Sequence, residues 1–167
     1  RIYKAIDESL TLTQNSISAA RLGAETVKDL ASEFVERVAF AQGGTAETRA
    51  EVQAELDELA ARIQTTIDQS TFNGSDLVNG TSAVTVVTGI SRDASGSITT
   101  TTVSFDQQDL GAIQSTLANI DLTAASTTAL METALQDAEG ALSDAIDSAT
   151  AFGIAEKSVE MQKEFLS

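Results

Sequence analysis

The side chains that could carry chemistry in this chain are almost all carboxylates. The 167 residues contain 25 Asp and Glu but no His or Cys, which excludes imidazole bases, thiolate nucleophiles, disulfides and zinc sites built on His or Cys. The nearest approach to a catalytic pair is Asp144 and Asp147. Carboxylates three residues apart on an acidic helix are ordinary surface groups, and no apolar pocket with convergent polar groups is implied around them. We therefore expect no enzyme and no cofactor.

Charge restricts the possible partners in the same way. The formal net charge is −15, and no basic residue lies between Arg92 and Lys157. Such a surface repels phosphate backbones and anionic lipid headgroups, so we expect no nucleic acid partner and no membrane insertion. No Asp-rich segment has the spacing of a calcium-binding hand, and no apolar run approaches the roughly 20 residues that span a bilayer. A solvated acidic surface is the simplest interpretation, and no metal site is expected.

The elements that would position these side chains are mainly helices, since the chain contains no proline to interrupt them. Apolar residues recur at alternating steps of three and four over 1–42, which predicts a first helix of about 60 Å with one buried stripe. Only Thr13 interrupts that stripe, whose members are Tyr3, Ile6, Leu10, Ile17, Ala20, Ala24, Val27, Ala31, Phe34, Val38 and Ala41.

Glycines at 43 and 44 favour the end of that helix and a reversal of the chain. A second helix is predicted over 45–70, antiparallel to the first, with a capping box from Thr48 to Glu51. Over 81–105 the pattern changes to β-branched residues and threonines around a polar Asp93–Gly96 tip, which predicts a β-hairpin. A short amphipathic segment follows, with Leu110, Ile113, Leu117 and Ile120 on one face.

A third long helix is predicted over 123–167. Its stripe comprises Leu135, Ala138, Leu142, Ala145, Ala149, Phe152, Val159 and Leu166. The expected fold is mainly α with a small β-hairpin, an elongated bundle of three long helices forming one domain over 1–167. Neither Arg1 nor Ser167 has the capping residues of a helix end, so we expect a fragment whose outer helices continue in a longer protein.

Three sequence features in order resemble the core of bacterial flagellins, particularly the short alphaproteobacterial kind. They are the long heptad helix, the helix and turn over 52–74, and the final helix with Ala-Phe-Gly-Ile-Ala-Glu-Lys-Ser-Val-Glu-Met-Gln at 151–162. The resemblance is most specific at Gln53-Ala54-Glu55, at Phe72-Asn73-Gly74 and in the final helix. It implies a rod-like core domain without the terminal helices that flagellins use for export and for lining the filament.

The resemblance also implies function. The chain would be an extracellular structural subunit of the flagellar filament that self-assembles for motility, with other copies of itself as partners. A secretion chaperone and hook-associated proteins would be further partners, and the isolated fragment would be monomeric. Candidate subunit contacts are the Phe72, Asn73 and Gly74 turn and the hairpin tip, at Asp93, Ser95 and Gly96.

Glu55 aligns with an acidic position at which an innate immune receptor recognises flagellin core helices in some species. Where the family carries Arg-Glu-Leu-Ala-Val in the first helix, this chain has Arg37-Val38-Ala39-Phe40. We therefore favour a simpler interpretation of Glu55, as an exposed helix charge that pairs with Arg62 or with nothing.

Two other functions remain as alternatives. A hook–filament junction protein shares flagellin-like outer helices but acts in few copies. A secreted helical adhesin or carbohydrate-binding protein would use the threonine-rich hairpin, which needs an aromatic stacking platform and has only Phe105.

Overall fold

The computed structural model describes residues 2–72, 74–125 and 127–166. The elements in chain order are α1 (Ile2–Phe40), α2 (Ala46–Asp68), β1 (Ala83–Arg92), β2 (Ile98–Asp106), α3 (Leu110–Ala118) and α4 (Thr128–Leu166). None of the described helices has an apolar stretch long enough to cross a membrane.

Helix α1 buries the apolar stripe that its heptad spacing predicts. From Ile6 to Ala41 the apolar members of the stripe are buried, and Thr13 is half-buried. Tyr3 was expected in the core, but its side chain is 60% exposed. The expectation fails because α1 begins at an end of the rod, where Tyr3 lines an open cleft with Phe165 of α4 and residues of β1 and β2 instead of a packed core.

The N-cap of helix α2 lies three residues before the predicted N-cap at Thr48. Thr45 is the N-cap, and its side-chain oxygen accepts a hydrogen bond from the Thr48 backbone N–H at 3.1 Å. The threonine at 48 therefore lies within the first turn. The box at Thr48–Glu51 was wrong because Thr45 meets the backbone requirement of an N-cap, with an extended conformation at ψ 167°.

Helices α1 and α4 run antiparallel along most of their length. At one end Gln42 donates from Nε2 to the Met131 carbonyl oxygen at 3.0 Å, and near the middle Arg21 Nε lies 2.7 Å from Glu156 Oε1. We call the end where α1 ends and α4 begins the upper end of the rod. The opposite end, where α1 begins and α4 ends, is the lower end.

The predicted bundle of three long helices needs correction, because the short helix α3 takes a place in it. Helix α2 packs on α1, and α3 packs between α2 and α4. Within the described residues, α2 and α4 make no close backbone approach to each other. The apolar face predicted for the short segment accounts for this arrangement, since Leu110, Ile113 and Leu117 are all buried.

Helix α4 begins at Thr128, five residues after the predicted start. Of its predicted stripe, Ala138, Ala145, Phe152 and Val159 are buried, whereas Leu135, Leu142 and Ala149 are half-buried. The Leu166 side chain lies outside the described part of the chain. Alanines at the buried positions let α4 approach α1 closely, and Phe34 and Phe152 fill the seam with no solvent exposure.

The β-hairpin is present as predicted. Strands β1 and β2 pair antiparallel, with Val84 opposite Phe105 and Val86 opposite Val103. A register shift lies between Val87 and Gly89, and such a bulge increases the local twist of a strand pair. The inner face of the hairpin packs against α1 and α4.

Candidate assembly surfaces

No catalytic constellation forms around the carboxylates singled out in the sequence. Asp144 and Asp147 are exposed on α4 and line an open cleft with Asp109 at the start of α3. Within the described residues, no group of three or more His, Cys, Asp or Glu side chains has the arrangement of a metal site. The surfaces of the rod are therefore the candidates for function.

The turn after α2 is anchored at its start against α1. Ser70 is buried, and its hydroxyl donates to the Thr66 carbonyl oxygen while facing Gly23 of α1. Phe72 is half-buried and forms an isolated β-bridge with Ser75, and Gly74 has a φ of +76°. Asn73 lies outside the described residues. Buried Ser70 thus holds the chain against α1 just before Phe72, and Gly74 is exposed to solvent.

The hairpin tip is built around the Asp93 carboxylate. Asp93 Oδ1 accepts from the backbone N–H groups of Ser95 and Ser97, each at 2.9 Å, and from the Ser95 hydroxyl at 2.6 Å. The Ser95 hydroxyl, followed by the Ser97 backbone N–H, lowers the pKa of Asp93. Gly96 has a φ of +90°, so the tip is an exposed turn ordered by local hydrogen bonds. Across the described residues, no hydrogen bond joins this tip to the Phe72 turn.

Glu55 pairs with Arg37 of α1, which corrects the predicted alternatives of Arg62 or no partner. Glu55 Oε2 lies 2.8 Å from Arg37 Nε, and Oε1 accepts from Nη2 at 2.9 Å. The Arg37 guanidinium also lies over the Phe40 ring, 4.5 Å from its centroid. The prediction failed because it considered only neighbours on α2, whereas the antiparallel packing of α1 and α2 brings Arg37 closer.

Gln53 has a structural role that the sequence did not reveal. Its Nε2 donates to the Ile120 carbonyl oxygen at 3.2 Å, and its Oε1 accepts from the Leu122 N–H at 2.8 Å. The side chain therefore fixes the connection between α3 and α4 to α2. The only sequence signal was the flagellin-like Gln53-Ala54-Glu55 segment itself, which carried no indication of the partner.

The outer faces of the two long helices carry large exposed apolar side chains, which sequence reasoning also missed. On α1 these are Tyr3, Leu12, Leu22 and Phe40, at 51% to 61% exposure. On α4 they include Ile154, Met161 and Phe165, with Phe165 89% exposed. Apolar side chains exposed together on one face mark interaction surfaces more often than isolated ones do.

These features define a rod-shaped, mainly helical domain with candidate contact surfaces. No family model matches the chain. It is 24% identical over 166 residues to the flagellin of Brucella melitensis biotype 1. The alignment covers 98% of this chain and 59% of that relative. The chain thus spans about three fifths of the relative's length.

The fold is also similar to a solved structure. The crystal structure of Bacillus cereus flagellin matches with a TM-score of 0.72 over 96% of this chain and 89% of that one, at 16% identity. Similarity to flagellin in both sequence and fold confirms the resemblance indicated by the motifs.

Proposed function

We propose that this chain is the core of a structural subunit of the bacterial flagellar filament, which self-assembles outside the cell into a helical polymer for motility. Residues 1–167 form one rod-like core domain of a longer subunit. The single observation that carries the proposal is that similarity to flagellin extends over nearly the whole chain, in sequence and independently in fold.

The geometry fits assembly better than catalysis. A rod built on two antiparallel helices of 39 residues presents long side faces to its neighbours. Contacts between different faces of identical copies are heterologous, and such contacts produce an open helical assembly when the rotation does not close. The net charge of −15 opposes close approach of copies, so assembly is favoured at higher ionic strength, where exposed charges are screened.

We further propose that the turn at 72–74 and the hairpin tip at Asp93, Ser95 and Gly96 contact neighbouring subunits. The exposure and local hydrogen bonds of the hairpin tip support its assignment, since a rigid contact loses little conformational entropy on binding. For the turn, the exposure of Gly74 supports it. A secretion chaperone and hook-associated proteins are further proposed partners of the whole subunit. For Glu55 we propose a structural role, because its carboxylate is already held by Arg37.

Electron microscopy tests the proposal directly. The longer parent protein and the 167-residue chain are each brought slowly above micromolar concentration at moderate salt. Long uniform filaments from the parent, with the isolated chain monomeric, are the expected result. Short closed oligomers from both would instead favour a hook–filament junction protein.

Persistent monomers of the parent that bind saccharides would favour a secreted adhesin. The structure offers little support for that alternative, since Phe105 is half-buried and packs against the core.

A further inference from the structure

The lower end of the rod contains a cleft between the β-hairpin and the ends of α1 and α4. Its volume is about 640 Å³. The exposed rings of Tyr3 and Phe165 line it on the helix side, and Ile90 and Thr101 line it on the hairpin side. None of the nine described residues that line the cleft is charged. The cleft therefore offers apolar and hydroxyl groups, and it can be filled without separating an ion pair.

Clefts elsewhere on the rod are lined by carboxylates. One beside the start of α4 has two of them, one beside α3 has three, and one between α1 and α2 has four. Leu130, an exposed apolar side chain near the upper end, lines the first of these clefts with Asp121 and Asp137. A partner that covered Leu130 would therefore also meet negative charge, which is not so for a partner that enters the lower-end cleft.

The net charge is distributed unequally along the rod. We call the lower part of the rod residues 2–21, 74–106 and 156–166. The hairpin and the turn before it belong to this part, since Leu77 and Phe105 line a cleft with Leu12 of α1. The lower part contains five basic and eight acidic residues, a net charge of −3, whereas the other described residues contain four basic and 17 acidic ones, a net charge of −13. Because like charges repel, two copies approach each other at the least electrostatic cost through their lower parts.

The outer face of the hairpin is a second uncharged surface in the lower part. Neither strand contains a charged residue over 83–91 or 97–105. Ile98 is five residues from Val103, which packs against the core, so the two side chains point to opposite faces of β2 and Ile98 faces outward. Its side chain is 59% exposed. Thr101 lines the cleft, and Ile98 lies three residues, or about 10 Å, nearer the tip.

We propose that the outer face of the hairpin of one copy packs into the lower-end cleft of the next copy, with the Ile98 side chain between the Tyr3 and Phe165 rings. The partner is a second copy of this chain, and the inference rests on the proposed function. The two surfaces match in shape, because residues 91–100 are all exposed and project from the rod, while the cleft is concave. They also match in charge, since both are uncharged in a chain of net charge −15.

The positions of the two surfaces determine how copies are arranged. Both lie in the lower part of the rod, so parallel copies meet side by side without a large shift along their axes. Because the contact joins two different surfaces, each added copy leaves one surface of each kind free, and the assembly stays open instead of closing as a dimer.

Disulfide cross-linking tests the contact, because the chain contains no native Cys. Ile98→Cys and Tyr3→Cys are introduced into separate samples of the full-length parent, with any cysteine outside these 167 residues replaced, and the two proteins are mixed, assembled and oxidised. The expected product is a mixed dimer that joins position 98 of one copy to position 3 of the other, identified by mass spectrometry. Ile146→Cys, at an exposed apolar position of α4 outside the lower part, is the matched control for Ile98→Cys and gives no such product with Tyr3→Cys.

A polar substitution tests the same contact without a covalent bond. Ile98→Ser raises the protein concentration needed for assembly about tenfold, the scale of one large apolar side chain buried at an interface. Ile146→Ser, the same change at an exposed position beside Asp147, leaves that concentration within about twofold of the unmodified value. Circular dichroism of both variants as monomers stays unchanged, since both side chains are exposed. Equal increases from the two substitutions overturn the contact.

The cross-linking outcomes separate the contact from the proposed function. Filaments without the link between positions 98 and 3, or with links only between identical positions, overturn the contact and leave the proposed function standing. The mixed link in concentrated solution without filaments supports the contact and counts against the filament. If neither the link nor filaments form, both are overturned.

Discussion

Replacing Gly23 by alanine tests how closely α2 approaches α1. A methyl group at this position would lie 1.9 Å from Ser70 Oγ and 2.7 Å from Ser70 Cβ. Both distances are far below van der Waals contact. Rotation of the Ser70 side chain moves only its hydroxyl, so the end of α2 must also shift away from α1.

Two effects of the added methyl group lower the free energy of unfolding, and a third partly offsets them. Overpacking a tight contact costs about 1–3 kcal/mol, and loss of the Ser70 hydrogen bond to Thr66 adds about 1 kcal/mol. The better helix propensity of alanine returns about 1 kcal/mol. We expect Gly23→Ala to reduce the free energy of unfolding by about 1–3 kcal/mol, which lowers the melting temperature by roughly 2–12 °C for a domain of this size.

The assay is urea unfolding followed by circular dichroism, with Gly140→Ala as the matched control. Gly140 is also in the interior of a long helix, but among the described residues no atom beyond its own turn of helix lies within 4 Å of the position of an added Cβ. This control should stabilise the chain by about 0.5–1 kcal/mol, the opposite sign. In the Gly23→Ala background, Ser70→Gly should recover much of the loss, since the remaining Cα lies 3.8 Å away. Equal stabilisation by Gly23→Ala and Gly140→Ala would refute the close approach.

Three further predictions concern the core, the connection after α3 and the hairpin tip. Phe34→Ala and Phe152→Ala should each cost about 3–5 kcal/mol in a denaturant titration, because both rings are fully buried; a loss below about 1 kcal/mol would contradict the packing of the seam. Gln53→Ala should cost about 1–3 kcal/mol by leaving Ile120 and Leu122 backbone groups unpaired, and should speed hydrogen exchange at the Leu122 amide; an unchanged exchange rate would argue against this role. Because the pKa of Asp93 is lowered on folding, its contribution to stability is present above the ordinary carboxyl pKa and is lost as pH falls through the lower folded value. An NMR titration should show the Asp93 pKa rising when Ser95→Ala removes the hydroxyl, and no rise would contradict the assigned cause.

Much of the fold could be predicted because the deciding information is periodic and local. The steps of three and four that place Leu10, Ile17, Val27 and Phe34 on one face are properties of a single helix. The change to β-branched residues around a polar turn likewise identifies the hairpin without reference to any other segment. The absence of His and Cys, which removes most catalytic chemistry, needs no structure at all.

Tertiary packing was needed wherever a residue's role depends on a distant segment. Glu55 pairs with Arg37 because α1 and α2 pack antiparallel, and Gln53 reaches residues 120 and 122 because α3 lies beside α2. Periodicity indicates which face of a helix is apolar. It contains no information on which other helix covers that face, or on which residues of the two helices lie side by side.

The same distinction applies to the candidate surfaces. The sequence shows that Leu22, Ile154 and Phe165 lie off the predicted stripes, but an apolar residue off a stripe can still be covered by a neighbouring element. Only the packing of α1 against α4 and the other elements shows that these side chains are exposed. Residue spacing therefore accounts for the helices and the hairpin, while the contacts between them set the surfaces through which copies can meet, because burial depends on what the rest of the chain brings alongside.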